Sequence, residues 1–181
     1  PGALIVRIDE TLVARIDAIA YPGLTANFDA GKTAALALGL LDWKDHGRDY
    51  ARAMQATAKA LADALATTHG LPVFARERGA TTSHQLAIEA ARWGGGQAAA
   101  KKLEAARLLA CGIGLPIAEV PNDANGLRLG TPEIVRLGFG PEHMGELAAL
   151  IASALDGRPE PERVTALRQR VVVGPLRFVR A

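Results

Sequence analysis

The chain has 181 residues, 49% hydrophobic and 22% charged, with a formal charge of +2 from 21 Lys+Arg against 19 Asp+Glu. That length builds one good domain, and an apolar fraction of this size excludes a disordered chain. Two net charges and 4% aromatic residues exclude a nucleic-acid-binding surface, and a single cysteine, Cys111, excludes an intrachain disulfide and a cysteine-based zinc cluster.

No apolar run reaches the roughly 18 residues of a membrane span. The opening Pro1-Gly2-Ala3-Leu4-Ile5-Val6 has neither the basic leader nor the cleavage site of a signal peptide. The cytoplasm is the expected location. Residues 3–8 read as a buried strand. Asp9-Glu10-Thr11 caps a short helix to about Ala18, and Tyr21-Pro22-Gly23 breaks it. A second helix starts at Asn27 to Asp29; its residues 34–41 are apolar nearly all round, which predicts burial. A third runs from about Asp45 to His69, with Tyr50, Met54, Ala58, Leu61 and Leu65 in one stripe, closed by Gly70.

Then the period changes. Pro72–Arg76 looks extended, and His84–Glu89 alternates as a half-buried strand does. After a glycine loop, Gln97 to about Cys111 is an Ala/Leu-rich helix ended by Gly112-Ile113-Gly114. Residues 122–126 form a turn and Leu127–Gly130 a strand. Pro141 opens a helix to residue 156, and residues 157–161 form a linker to a short helical tail. Strands alternating with helices give an α/β or α+β architecture, a small sheet covered by helices.

Familiar catalytic signatures are absent, and none of His46, His69, His84 and His143 pairs with another at metal-ligand spacing. No metal site is expected. His46 and His69 fall at predicted helix ends, where a cap or a solvated position accounts for them. Gly94-Gly95-Gly96 precedes a helix start, where an anion is welcome. It lacks a full phosphate-binding fingerprint, so a flexible loop is the favoured reading. Cys111 lies in an apolar stretch and reads as a packing residue.

One segment stands out: Asn125-Gly126-Leu127-Arg128-Leu129-Gly130-Thr131-Pro132. An arginine between two apolar residues on a short strand reads as buried, and a buried guanidinium needs an anionic partner. Its planar fork fits a carboxylate with two parallel hydrogen bonds. That carboxylate belongs either to a substrate or to one of the chain's own acids, and the pattern alone leaves both open.

The segment resembles the S-G-x-R-x-G-T-P motif of the serine hydroxymethyltransferase family, pyridoxal-phosphate (PLP) enzymes of the aspartate-aminotransferase fold. Tyr21-Pro22-Gly23, Tyr50, Ala58-Lys59-Ala60-Leu61, Thr82-Ser83-His84, Val120-Pro121-Asn122-Asp123 and Gly138-Phe139 resemble further family segments in the right order. The resemblance covers roughly residues 1–156. It implies the C-terminal portion of a fold-type-I PLP transferase. Residues 1–44 would end the large PLP-binding domain, 45–157 would form the small domain with its linking helix, and 158–181 the linker and tail. It implies that Arg128 binds the α-carboxylate of an amino-acid substrate, and that the complete enzyme is a homodimer. No catalytic residue is expected within this chain, because the family's Schiff-base lysine would lie upstream of Pro1.

Departures from the family are informative. The family's Q-G-G-P, which reaches the PLP phosphate of the neighbouring subunit, is replaced by Thr25-Ala26-Asn27-Phe28; Thr25 and Asn27 can still donate hydrogen bonds there. The family's N-K-N, whose asparagine contacts the folate pterin, has no counterpart in residues 114–119, and Leu137 replaces a usual arginine. These changes argue against tetrahydrofolate and favour a folate-independent relative, such as the threonine transaldolases. A rival reading is a truncated, non-catalytic interaction module.

Overall fold

The computed structural model describes residues 9–24 and 29–179. The strand expected at residues 3–8 lies outside them. The described residues divide into two units, one reaching to His46 and one over Gly47–Val179.

In the first unit, the Asp9 side chain accepts the backbone N–H of Leu12 at 3.0 Å and starts α1 (Glu10–Ala18). This satisfies one of the donors that a helix start leaves open. The following turn contains an extended Tyr21 (φ −142°, ψ 128°), as a residue before proline should be. Asp29 then accepts the N–H of Lys32 at 3.0 Å at the start of α2 (Ala30–Asp63).

The two helices expected over residues 27–69 are one. No proline interrupts residues 30–63, and the single glycines and aspartates that suggested a boundary cost a helix too little to break it. His46 therefore sits inside α2 rather than at an end. The expected burial of residues 34–41 is also overturned: Leu38 and Leu40 are 63% and 59% exposed. All-round apolarity calls for a cover, and within this unit the described residues supply none at these two positions.

In the second unit α2 turns amphipathic. Tyr50, Met54, Ala58, Leu61 and Leu65 are buried, the stripe the sequence predicts. A wider helical turn, Ala64–Thr68, carries the chain to His69. Three strands follow: β1 (Gln85–Glu89), β2 (Cys111–Ile113) and β3 (Gly126–Gly130), all antiparallel in the order β1-β3-β2. Pro72–Arg76 is extended only in part, where Val73 bridges Ile88.

Leu86, Ile88, Leu127 and Leu129 alternate onto one sheet face. They join a core with Ala99 and Leu103 of α3 (Gly96–Ala105), Leu147, Leu150 and Ile151 of α5 (Met144–Leu155) and Leu167 of α6 (Pro161–Val171). The small helix-covered sheet expected from the sequence is present, with its helices on one face.

The helix expected to reach Cys111 stops six residues earlier. Arg107 adopts a left-handed φ of 63°, the N–H of Leu108 closes onto the Leu103 carbonyl at 3.0 Å, and Cys111 becomes the first residue of β2. Ala/Leu composition favoured a helix, but pairing with β3 wins. Among the described residues no helix is long and apolar enough to cross a membrane.

Candidate functional site

Alternation on β3 sends Leu127 and Leu129 inward and Arg128 outward. Arg128 is therefore exposed on the sheet face away from the core, not buried between its apolar neighbours. An arginine flanked by apolar residues implies cover on both faces of the sheet; helices cover only one. In register, Ala87 of β1 and Cys111 of β2 stand opposite Arg128. Gly126 and Gly130 lie two residues away on the same face. All four neighbours are small, so the guanidinium stands clear of steric cover.

Arg128 Nη2 donates to Cys111 Sγ at 3.0 Å. No ion pair joins Arg128 to a carboxylate among the described residues, although other arginines are paired, as Arg163 is with Glu160. Of the two partners the sequence left open, a carboxylate of the chain's own is thus not the one observed. Cys111 is half-buried beside Arg128, not a core packing residue.

The rest of the motif builds the platform. The Thr131 hydroxyl is fully buried, 2.9 Å from the Met54 carbonyl and 3.0 Å from that of His84. Tyr50 Oη donates to the Pro132 carbonyl at 2.8 Å. Thr131 and Pro132 thereby fix the end of β3, and the short α4 (Pro132–Arg136) after it, onto α2.

Before β3, the buried Asn125 side chain accepts from Leu115 N–H at 2.7 Å. It donates towards the carbonyls of Leu115 (2.9 Å), Ile117 (3.1 Å) and Ala118 (3.2 Å). One amide side chain thus closes the whole 114–119 loop. Leu115 packs over Gly126 so closely that a Cβ there would lie 2.6 Å from Leu115 Cδ1. This puts an apolar edge beside the Arg128 face. The Asn125 anchor leaves no direct sign in the sequence; a polar residue just before an alternating strand is its only trace.

Gly94-Gly95-Gly96 is neither a phosphate cradle nor a free loop. Asp123 occupies the helix start: its carboxylate accepts the N–H groups of Gln97 (2.9 Å) and Ala98 (3.0 Å). Those bonds, that from Gln97 foremost, hold the Asp123 carboxyl below the usual range. The glycines are there for contact. A Cβ on Gly95 would meet Asp123 at 2.4 Å, and one on Gly96 would meet the Gly126 carbonyl oxygen at 1.9 Å.

Against known proteins, no family model matches. An alpha-methylserine aldolase of Variovorax paradoxus is 64% identical over 178 residues, 98% of this chain and 40% of that protein. One from Ralstonia sp is 57% identical over 163 residues, covering 90% and 37%. A serine hydroxymethyltransferase of Methanopyrus kandleri is 42% identical over 166 residues, covering 91% and 39%. The chain is related to the serine hydroxymethyltransferase family. It spans about two fifths of the length of these relatives, which are all enzymes. An L-threonine transaldolase from Pseudomonas fluorescens, solved in its internal aldimine state, superposes with a TM-score of 0.79 over 96% of this chain and 40% of that one. At 23% identity the likeness is one of fold: this chain folds as about two fifths of that protein does.

Lys32, Lys44, Lys59, Lys101 and Lys102 all lie on helices, none on the sheet face of Arg128. Thr25 and Asn27, the residues expected at the cofactor phosphate, lie outside the described residues. What the described residues present on this face is an exposed arginine on a paired strand, with no carboxylate beside it.

Proposed function

We propose that this chain supplies the carboxylate-binding subsite of a PLP-dependent aldolase. Its substrate is a β-hydroxy α-amino acid of the α-methylserine type, and folate is not needed. Arg128 carries the reading. It is a permanent cation on a packed strand, open to solvent and free of a carboxylate partner among the described residues, with its fork available for a bidentate contact. Gripping the α-carboxylate fixes how the rest of the amino acid lies, and so which Cα bond is broken.

The substrate class is drawn from the relatives. Alpha-methylserine aldolases share 57% identity or more, well above the 42% of the hydroxymethyltransferase. In the cleavage, the Cα–Cβ bond of α-methylserine breaks and its hydroxyl loses a proton as the β-carbon leaves as formaldehyde. The electron pair stays on Cα, which takes up a proton to give alanine. PLP, when bound, supplies the electron sink that makes such a carbanion accessible. Residues 114–119 are closed inward on Asn125 and hold no amide side chain for a pterin, which supports independence from tetrahydrofolate. The complete protein is read as a cytoplasmic homodimer, with Thr25 and Asn27 at the cofactor phosphate of the neighbouring subunit.

The test is an assay of the complete, PLP-loaded protein with α-methylserine and no tetrahydrofolate. Formaldehyde and alanine are expected in equal amounts. Turnover that needs tetrahydrofolate, or that appears only when an aldehyde acceptor is added, would contradict the reading.

A further inference from the structure

Of the two residues directly opposite Arg128, Ala87 has no polar side-chain atom; only Cys111 carries an acceptor. Register places Cys111 and Arg128 on the same face, and the Nη2–H···Sγ contact of 3.0 Å joins them. We propose that Cys111 is a positioning residue: it holds one edge of the Arg128 guanidinium so that the remaining donors are aimed at the substrate carboxylate. This rests on the reading of Arg128 as the carboxylate grip.

The chemistry favours sulfur in that place. Nη2 carries two protons; one goes to Cys111, and the other remains, with those of Nη1 and Nε, for two parallel bonds. A long exposed arginine loses rotamer freedom when it grips a ligand, and a partner already in place reduces that loss. A thiol is a weak acceptor. It steadies the guanidinium without cancelling its charge. An aspartate or glutamate at the same position would compete with the substrate for the fork, and alanine would leave the arginine free to wander over a face of small residues.

The test is calorimetric titration of the complete, PLP-loaded protein with alanine, the product-side amino acid, in single and paired variants. Thermal unfolding of each variant is recorded alongside. Cys111→Ala weakens binding about three- to tenfold, the range of one modest hydrogen bond, with the melting temperature little changed. Cys111→Ser keeps an acceptor and recovers most of the affinity. In an Arg128→Lys background, which lacks the fork, Cys111→Ala has no further effect. Full affinity in Cys111→Ala, or an equal loss from it in the Arg128→Lys background, would overturn the positioning role while leaving the arginine grip intact. Undiminished binding in Arg128→Ala would instead remove the grip itself and the role of Cys111 with it.

Discussion

The Asp123 carboxylate accepts the backbone N–H of Gln97 at 2.9 Å and so closes the start of α3 from 26 residues away. Its other oxygen takes the N–H of Ala98 at 3.0 Å. A loop outside the helix thus supplies both the cap and the negative charge that a helix start favours. Asp123→Ala removes them together. A melting temperature lower by several degrees is expected near neutral pH.

The same contact sets an acid dependence. The folded-state pKa of Asp123 lies below its ordinary value of 3.8, through the N–H bonds of Gln97 and then Ala98. Its contribution is therefore complete above the ordinary carboxylate range and is lost as pH falls through the lowered value. Unfolding curves recorded from neutral pH down to about pH 3 should show the gap between wild type and Asp123→Asn narrowing at the acid end. A gap that stays constant would show that the charge of Asp123 is not involved.

Gly96→Ala should be among the most damaging small substitutions. The added Cβ would lie 1.9 Å from the Gly126 carbonyl oxygen and 2.8 Å from Gly112 Cα, both backbone. Neither can move without parting α3 from the sheet. Denaturant unfolding should show a loss at or above the top of the ~1–3 kcal/mol usual for overpacked sites. Because Gly126 opens the strand that carries Arg128, amino-acid binding should weaken as well.

Thr131→Val tests the other end of that strand. The buried hydroxyl serves the Met54 and His84 carbonyls, and valine keeps the shape while leaving both without it. A loss of about 1–3 kcal/mol is expected, with Thr131→Ser retaining more stability than Thr131→Val. Equal stability of the serine and valine variants would assign the site to packing alone.

The periodic elements were legible in the sequence. Tyr50 to Leu65 reads as a stripe and is buried as one; His84–Glu89 and Leu127–Gly130 read as strands, and the strands found there, β1 and β3, pair with each other. What local pattern could not show was what covers each face. Leu127 and Leu129 on either side suggest a buried Arg128, yet alternation sends it to the open side. The apolar run at residues 34–41 suggests burial, yet Leu38 and Leu40 are exposed. The residues before Cys111 favour a helix that ends there; only pairing with β3, distant in sequence, makes Cys111 a strand residue beside Arg128. Asn125 and Asp123 act through backbone groups about ten and 26 residues away, a distance no local period reports.

The most direct test of the account is discrimination between a carboxylate and its neutral counterpart. Calorimetry on the complete, PLP-loaded protein would compare alanine with alaninamide, in wild type and in Arg128→Ala. A strong wild-type preference for alanine is expected, roughly tenfold or more for a charge-assisted bidentate contact, and it should disappear in the variant. A preference that survives in Arg128→Ala would place the carboxylate on another group and contradict the account.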